Sequence, residues 1–317
     1  MPRLAAWALP ACLALLSCLA LQPGCAGRED GNGGPGPASA PAGPLREQLH
    51  RVALREEDGR RRLIGLLLCR PPGDGPAPLV LFNHGSPVNP AARAAMRPRA
   101  CESEPIAWFL AQGFVVGQPI RRGYGTSEGG WSEGYGRCGD PDFAAAGRES
   151  ARDMAAALAY AQALPFVRPE GVTIVGQSAG GWGALALAAS NPAHVAAVVN
   201  FAGGRGGWAL GIANSNCRPD RLVAAAGAFG ATARIPSLWI YTANDSFFAP
   251  EIAQAMYRAY TGAGAPAEFH ALPAFGRDGH GLFVSEGGSA LWGPVLARLL
   301  AGTGAATGVA SAPRSGT

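Results

Sequence analysis

The chain contains no lysine. All 26 of its basic residues are arginine, and with 22 acidic residues they leave a formal net charge of +4. The arginines are scattered along the 317 residues rather than clustered on one element, so they indicate genomic base composition and not a nucleic-acid partner. Without lysine there is no Walker phosphate-binding loop, and no zinc-type spacing of cysteine and histidine occurs. We therefore expect no cofactor and no metal.

Charged residues are scarce, at 15% of the chain, whereas apolar residues make up 48% and the mean hydropathy is +0.09. This composition excludes a disordered chain and suffices to fill a large core. The longest apolar run, Leu4 to Leu21, is slightly short for a membrane span and is interrupted by Pro10.

The first 27 residues are typical of an export signal. Arg3 precedes the apolar run, and small residues from Gly24 to Gly27 offer a processing site. Cys18 and Cys25 lie where a lipoprotein signal would place its lipidated cysteine, so membrane attachment through an N-terminal lipid anchor is left open. We expect an exported protein, either periplasmic or extracellular.

Three further segments follow the signal. Residues 28–44 are rich in Gly, Pro, Ala and Ser and are predicted to be a disordered linker, because they cannot bury enough apolar surface to become ordered. Residues 45–301 are predicted to form one sizeable α/β domain, and residues 302–317 a flexible tail.

Four cysteines remain once the signal is set aside, namely Cys69, Cys101, Cys138 and Cys217. In an exported domain they allow up to two disulfides, in three connectivities. Cys138 and Cys217 lie in glycine-rich loops expected at the same end of the sheet, so this pair is favoured. Cys69 ends an apolar strand and could instead be a buried thiol.

Strand and helix patterns alternate along the domain. Two strands joined by Asp58-Gly59 come first, and repeated βα units follow. This order predicts an α/β fold with a mostly parallel central sheet of about eight strands, flanked by helices on both faces. Ligand sites in such sheets lie at the carboxyl ends of the strands. The predicted strands are 48–56, 62–69, 79–83, 114–120, 172–175, 195–201, 238–242 and 267–272.

Ser178 lies in the sequence Gly176-Gln177-Ser178-Ala179-Gly180, between a β-branched apolar run and an alanine- and leucine-rich helical pattern. This context predicts a nucleophile elbow, a sharp and strained turn that exposes a serine hydroxyl. A Cβ at Gly176 or Gly180 would clash there, because strand and helix pack closely. Ser127 has the same pattern around it, but in a glycine-rich loop, and is not predicted to be the nucleophile.

Two other side chains could complete a catalytic triad. Asp245 follows the buried strand 238–242, where a carboxylate needs a partner such as an imidazole; the alternative is a helix N-cap, and both uses could coexist. His280 lies between two glycines in a loop beyond the last strand, as a mobile general base requires. Asp278, close by, is expected to have a surface role.

The backbone N–H groups of Ser86 and Ala179 are predicted to form an oxyanion hole, because Ser86 lies in the loop after strand 79–83. His84 is expected to brace that loop rather than to act as the base. Tyr124, Gln177 and Trp182 are expected to support the pocket or its loops.

The chain resembles the α/β-hydrolase superfamily, and most closely its dienelactone-hydrolase-like, prolyl-oligopeptidase-like branch. The matching pieces are Asn83-His84-Gly85-Ser86-Pro87, Arg121-Arg122-Gly123-Tyr124-Gly125, the Ser178 motif, Asn244-Asp245 and Asp278-Gly279-His280-Gly281. Enzymes of this family that open dienelactones use a cysteine nucleophile, whereas position 178 is serine. The family name is therefore not carried over as an activity.

The hypothesis that follows is an exported serine hydrolase that cleaves a small-molecule carboxylic ester through an acyl-enzyme, with Ser178, Asp245 and His280 as the triad. One alternative is a serine peptidase of the prolyl-oligopeptidase type, which shares every catalytic part but usually carries a gating domain. Another is a catalytically silent binding protein on a hydrolase scaffold, which would have no need to retain all three residues.

Overall fold

The computed structural model describes residues 34–302 of the chain. The predicted signal peptide and most of the predicted tail, residues 303–317, lie outside the described residues. Gly302, predicted to begin the tail, is the last residue of a helix instead.

Strands and helices alternate as the sequence predicts, with boundaries within a few residues. The strands are β1 (Gly36–Pro37), β2 (Gln48–Arg55), β3 (Arg61–Cys69), β4 (Leu79–Asn83), β5 (Val115–Ile120), β6 (Gly136–Arg137), β7 (Asp140–Pro141), β8 (Val172–Gln177), β9 (Val195–Phe201), β10 (Ser237–Thr242) and β11 (Ala267–Leu272). The helices are α1 (Pro90–Ala94), α2 (Glu104–Ala111), α3 (Phe143–Gln162), α4 (Ala179–Ala188), α5 (Pro219–Gly230), α6 (Pro250–Gly262) and α7 (Ser289–Gly302).

Local sequence accounts for where the long helix α3 begins and ends. It is rich in alanine, the best helix former, and the Asp142 carboxylate caps its first turn by accepting the Ala145 amide at 2.7 Å. Pro165 follows shortly after its last residue, where a helix cannot continue.

The central sheet has nine strands in the order β1-β2-β3-β5-β4-β8-β9-β10-β11. The pairs from β1 to β5 are antiparallel, and those from β5 through β4 to β11 are parallel. The prediction of a mostly parallel sheet with an antiparallel start is confirmed. The sheet has one strand more than expected, because β1 adds to its edge.

That additional strand corrects the prediction of a disordered linker over residues 34–44. Gly36 pairs with Arg51 and Pro37 with His50, and the Ala38 amide donates to the Leu49 carbonyl oxygen at 2.8 Å. Composition alone misses this pairing, because an exposed sheet edge offers backbone groups that pair with a neighbouring segment whatever its side chains are. The folded unit therefore begins before residue 45.

Side chains alternate between the two faces of the sheet and build two apolar clusters. On β4, Leu79 and Leu81 belong to the cluster that includes residues of helices α3 to α6, whereas Val80 and Phe82 belong to the cluster that includes residues of α2 and α7. This period of two is what a sheet covered on both faces requires. The predicted layers of helix, sheet and helix are confirmed.

Two disulfides cross-link the domain. Cys138 is bonded to Cys217, as predicted, and Cys69 is bonded to Cys101. The alternative of a free buried thiol at Cys69 is wrong, because Cys101 reaches it from the turn before α2. Disulfides of this kind are typical of an oxidising compartment. Within residues 34–302, no helix is both long enough and apolar enough to cross a membrane.

Candidate active site

Ser178 lies on a strained turn between β8 and α4. Its backbone has φ 56° and ψ −121°, a conformation that few residues other than glycine adopt. A Cβ at Gly176 would lie 2.2 Å from the Gly180 carbonyl oxygen, and one at Gly180 would lie 2.1 Å from the Asn83 carbonyl oxygen. The turn therefore has the geometry that the motif predicts, with strand and helix too close for any side chain at either glycine.

Asp245 and His280 meet at the carboxyl ends of the strands. His280 Nδ1 lies 2.9 Å from Asp245 Oδ1, and both residues are buried. The same oxygen accepts the amides of Phe247 at 2.8 Å and Phe248 at 3.0 Å. Because a carboxylate only accepts hydrogen bonds, His280 carries its proton on Nδ1 and leaves Nε2 as the basic nitrogen.

Asp245 is not the N-cap of the following helix, so that alternative is wrong. Helix α6 begins at Pro250, with Ala249 as its capping residue, and no side chain caps it. The Asp245 carboxylate instead holds the turn that precedes the helix, through the two amides it accepts. These bonds fix its position for the imidazole.

Three neighbours hold the short helical turn Gly279–Val284 that carries His280. Asp278 accepts the His280 amide at 3.0 Å and the Ser246 hydroxyl at 2.6 Å, so it joins two loops rather than facing solvent alone. Gln177 Nε2 donates to the His280 carbonyl oxygen at 3.1 Å. The Phe247 ring stacks on the imidazole with 4.0 Å between centroids.

Two cavities meet at Ser178, each of about 500 Å³. The first is also lined by His84, Gln177 and His280, and the second by Ala179 and Arg205. No hydrogen bond within residues 34–302 joins the Ser178 hydroxyl to His280, although both residues line the first cavity. The four residues that line both cavities are Ser86, Pro87, Ser178 and Phe247.

The two residues predicted for an oxyanion hole lie side by side with Ser178. Ser86 and Ala179 both line the second cavity, and Ala179 is the first residue of α4. Within the described part of the chain, neither backbone N–H donates a hydrogen bond. The N-terminus of α4 also directs its positive dipole end at this point, which favours an anionic oxygen.

His84 is held between two backbone groups. Its Nδ1 lies 2.7 Å from the Gly85 carbonyl oxygen, and its Nε2 accepts the Arg121 amide at 3.3 Å. Burial, together with the Arg121 charge, lowers the pKa of His84 to about 3. Both nitrogens of this neutral imidazole are thus engaged with the backbone of two loops.

Glu133 is the centre of a buried cluster that the sequence does not predict. Its carboxylate forms ion pairs with Arg121 and Arg205, and the side chains of all three are nearly inaccessible to solvent. Burial by itself would raise the pKa of Glu133, but the two guanidinium groups outweigh it and hold that pKa well below its usual range. Its position in a glycine-rich loop gives no sequence signal, because its partners follow two different strands.

This cluster reaches the predicted oxyanion loop through Tyr124. The phenol oxygen lies 2.8 Å from Glu133 Oε2 and 2.6 Å from Ser86 Oγ, and it accepts the Trp131 indole N–H at 2.9 Å. The ionised carboxylate only accepts, so the single Tyr124 proton points to Glu133 and the Ser86 hydroxyl donates to Tyr124. Tyr124 therefore fixes the Ser86 side chain, as expected of a residue that supports the loop.

Trp182 and Ser127 lie away from the cavities. Trp182 is fully buried, donates its indole N–H to the Phe143 carbonyl oxygen at 2.8 Å and packs on Phe229. The expectation that it supports the pocket is therefore corrected: it anchors α4 to α3. The Ser127 hydroxyl donates to the Ile120 carbonyl oxygen at 2.5 Å and accepts the Gly65 amide at 2.9 Å, a structural role.

Comparison with known proteins agrees with this architecture. Residues 137–290 match the model of the dienelactone hydrolase family. No curated protein sequence is significantly similar to the chain.

Solved structures share the fold. Esterase Pf2001 of Pyrococcus furiosus matches with a TM-score of 0.54 and 17% identity, over 81% of this chain and 93% of that one. Acetyl xylan esterase 1 of Thermoanaerobacterium sp. matches with a TM-score of 0.54 and 16% identity, over 81% and 84%.

Dipeptidyl peptidase 4 of Porphyromonas gingivalis matches with a TM-score of 0.55 and 14% identity, over 82% of this chain but 36% of that one. The similarity is thus to one part of that peptidase. The chain has the α/β-hydrolase fold, and its residues 137–290 resemble the dienelactone hydrolase family.

Proposed function

We propose that the protein is an exported serine hydrolase that cleaves small-molecule carboxylic esters. The observation that carries this proposal is the position of Ser178. It sits on a strained turn at the head of α4 and lines a cavity with His280, whose imidazole is bonded to Asp245. A strained serine that lines a cavity beside an oriented imidazole is the arrangement that acyl transfer needs.

In the proposed mechanism, His280 Nε2 takes the Ser178 proton as the serine oxygen attacks the ester carbonyl. Asp245 keeps the proton on Nδ1 and stabilises the imidazolium that forms. The backbone N–H groups of Ser86 and Ala179 stabilise the negative oxygen of the tetrahedral intermediate, each worth about 3 kcal/mol. His280 then protonates the leaving alkoxide and activates the water that releases the acid.

Export is supported by the two disulfides, which persist in oxidising compartments, and by the composition of the first 27 residues. Attachment to a membrane through a lipidated Cys18 or Cys25 stays part of the proposal. The N-terminal sequence of the exported protein, with its mass, tests both statements.

Labelling with a fluorophosphonate probe tests the catalytic proposal. Ser178→Ala is expected to abolish labelling and the hydrolysis of p-nitrophenyl acetate. Ser127→Ala is the matched control, since Ser127 has the same flanking pattern but a structural role, and it is expected to keep both. If labelling were lost in Ser127→Ala and kept in Ser178→Ala, the nucleophile would be Ser127 and the proposed assignment would be wrong.

A comparison of esters with prolyl anilides decides between esterase and peptidase. We expect ester turnover to exceed amide turnover. The reverse order would favour a serine peptidase of the prolyl-oligopeptidase type, and no labelling of the folded protein would favour a silent binding protein.

A further inference from the structure

Large exposed apolar side chains are concentrated at the mouth of one cavity. Six such side chains occur among residues 34–302, and five of them come from three loops around the second cavity. We call these five the apolar rim: Val88, Trp131, Trp208, Leu210 and Ile212. The sixth, Leu49, lies on β2 and lines a different cavity.

The apolar rim has two parts, one that lines the cavity and one that lies outside it. Val88, Trp131 and Trp208 line the cavity itself. Leu210 and Ile212 do not line it, and they are 89% and 60% exposed. A substrate molecule seated in the cavity therefore cannot account for these two side chains. They are placed to contact something that extends beyond the surface of the protein.

The loop that carries them is anchored beside the candidate catalytic histidine. Trp208 and Ser215 pair as a β-bridge at the base of the loop, and the exposed residues 210–213 project from it. The Trp208 indole donates to Ser246 Oγ at 3.2 Å, and its ring lies 5.7 Å from Phe247, the residue that stacks on His280. The projecting loop is thus continuous with the active-site wall.

The tip of this loop is held in an unfavourable conformation. Leu210 has φ 58°, in the left-handed region that a leucine rarely adopts, and the side chain has little protein around it to compensate. Backbone strain of this kind persists where the surrounding structure imposes it, and it clusters at functional positions. A leucine that is so exposed at such a site has no role in packing the core.

A protein partner seated on the rim would cover the mouth of the cavity and block it. An apolar assembly of substrate molecules would cover the same mouth and would deliver substrate into the cavity. We propose that the apolar rim docks the enzyme on ester substrates presented at an apolar–water interface, such as droplets or micelles. This inference rests on the proposed esterase function, and it names the physical form of the substrate.

Binding is tested without catalysis, using the full chain with Ser178→Ala and vesicles of phosphatidylcholine. Adding Leu210→Ser and Ile212→Ser is expected to weaken sedimentation with the vesicles by about tenfold or more, since each change removes a large apolar side chain from the contact. Leu49→Ser is the matched control and is expected to change nothing. All variants share the same N-terminus, so any difference between them comes from the exposed apolar residues.

Catalysis supplies a second arm, in which tributyrin is varied across its solubility limit. The rate of tributyrin hydrolysis by the unmodified enzyme is expected to rise sharply when droplets appear. The rate of the Leu210→Ser, Ile212→Ser variant should instead follow a simple saturation curve through the solubility limit. Turnover of dissolved p-nitrophenyl acetate should be the same in both.

Three results would overturn the inference. One is an unmodified enzyme that neither binds vesicles nor accelerates at droplets, and another is an equal loss in Leu49→Ser. The third is concentration-dependent dimerisation, seen by light scattering and abolished by the two rim changes, which would assign the rim to a second copy of the chain. Absence of p-nitrophenyl acetate turnover would contradict the proposed esterase function, while vesicle binding would still decide the role of the rim.

Discussion

Replacing Asp245 by asparagine removes one negative charge while keeping the shape of the side chain. Asp245 Oδ1 accepts three N–H groups, from His280, Phe247 and Phe248. An amide group turned toward these donors would place N–H against N–H, so the asparagine oxygen should stay where Oδ1 is now. His280 would then keep its proton on Nδ1, and the variant would test charge separately from tautomer.

The structure gives the size of both expected effects. With the charge centres of carboxylate and imidazolium about 4 Å apart, an effective dielectric of about 20 gives an attraction of about 4 kcal/mol, or about 10³-fold in rate. This is less than the roughly 10⁴-fold loss expected when the wrong tautomer also forms. The new N–H₂ group would replace Oδ2, which is buried and has no hydrogen-bond partner among residues 34–302, at a cost of about 1–3 kcal/mol in stability.

Steady-state hydrolysis of p-nitrophenyl acetate and a urea unfolding curve measure the two effects. We expect kcat of Asp245→Asn to fall by about 10³-fold with KM nearly unchanged, and the unfolding midpoint to decrease. Asp245→Ala should lower both kcat and the unfolding midpoint further, because the amides of Phe247 and Phe248 also lose their hydrogen-bond acceptor. A kcat within tenfold of the original enzyme would refute the assignment of Asp245 as the partner of a charged His280.

Two stability predictions follow from the loops around Ser178. Because the pKa of His84 is lowered to about 3, the unfolded chain takes up a proton below pH 6.5 that the folded chain does not, so stability is full above pH 6.5 and is lost as the pH falls. Between pH 7 and pH 5, the free energy of unfolding measured in urea should therefore decrease less in His84→Gln than in the original protein. Equal decreases in the two proteins would contradict the lowered pKa of His84. Gly180→Ala should destabilise by about 3 kcal/mol or more, since its Cβ would meet the Asn83 carbonyl oxygen at 2.1 Å. Gly130→Ala should stay within about 0.5 kcal/mol, because among the described residues its Cβ would meet no atom within 4 Å except those of its chain neighbours. Similar unfolding midpoints for the two glycine variants would show that the elbow is not tightly packed.

Features that depend on residues adjacent along the chain could be predicted from the sequence. A β-branched apolar run, the motif around Ser178 and an alanine- and leucine-rich run follow one another directly, so one continuous stretch predicts the strand β8, the turn and the helix α4. The order of strands and helices then set the fold class. The edge strand β1 was missed, because backbone groups alone form its pairing with β2.

Side chains whose partners are distant in sequence could not be predicted. Glu133 lies in a loop with no periodic pattern, and only the approach of Arg121 and Arg205 buries it as an ion pair. The same applies to Cys69, whose partner Cys101 precedes α2. Trp182 was misassigned because adjacency to Ser178 in sequence places it one helical turn away, on the core side of α4.

By itself, the sequence determined the elements, the α/β architecture and the serine motif, because each depends on residues that are neighbours along the chain. Only the tertiary structure decided that the Asp245 carboxylate receives His280, that two cavities meet at Ser178, and that five exposed apolar side chains surround the mouth of one of them. Those relations join loops from different strand ends. The physical reason is that packing of the sheet and its helices sets the distances between such loops, and no local pattern encodes those distances.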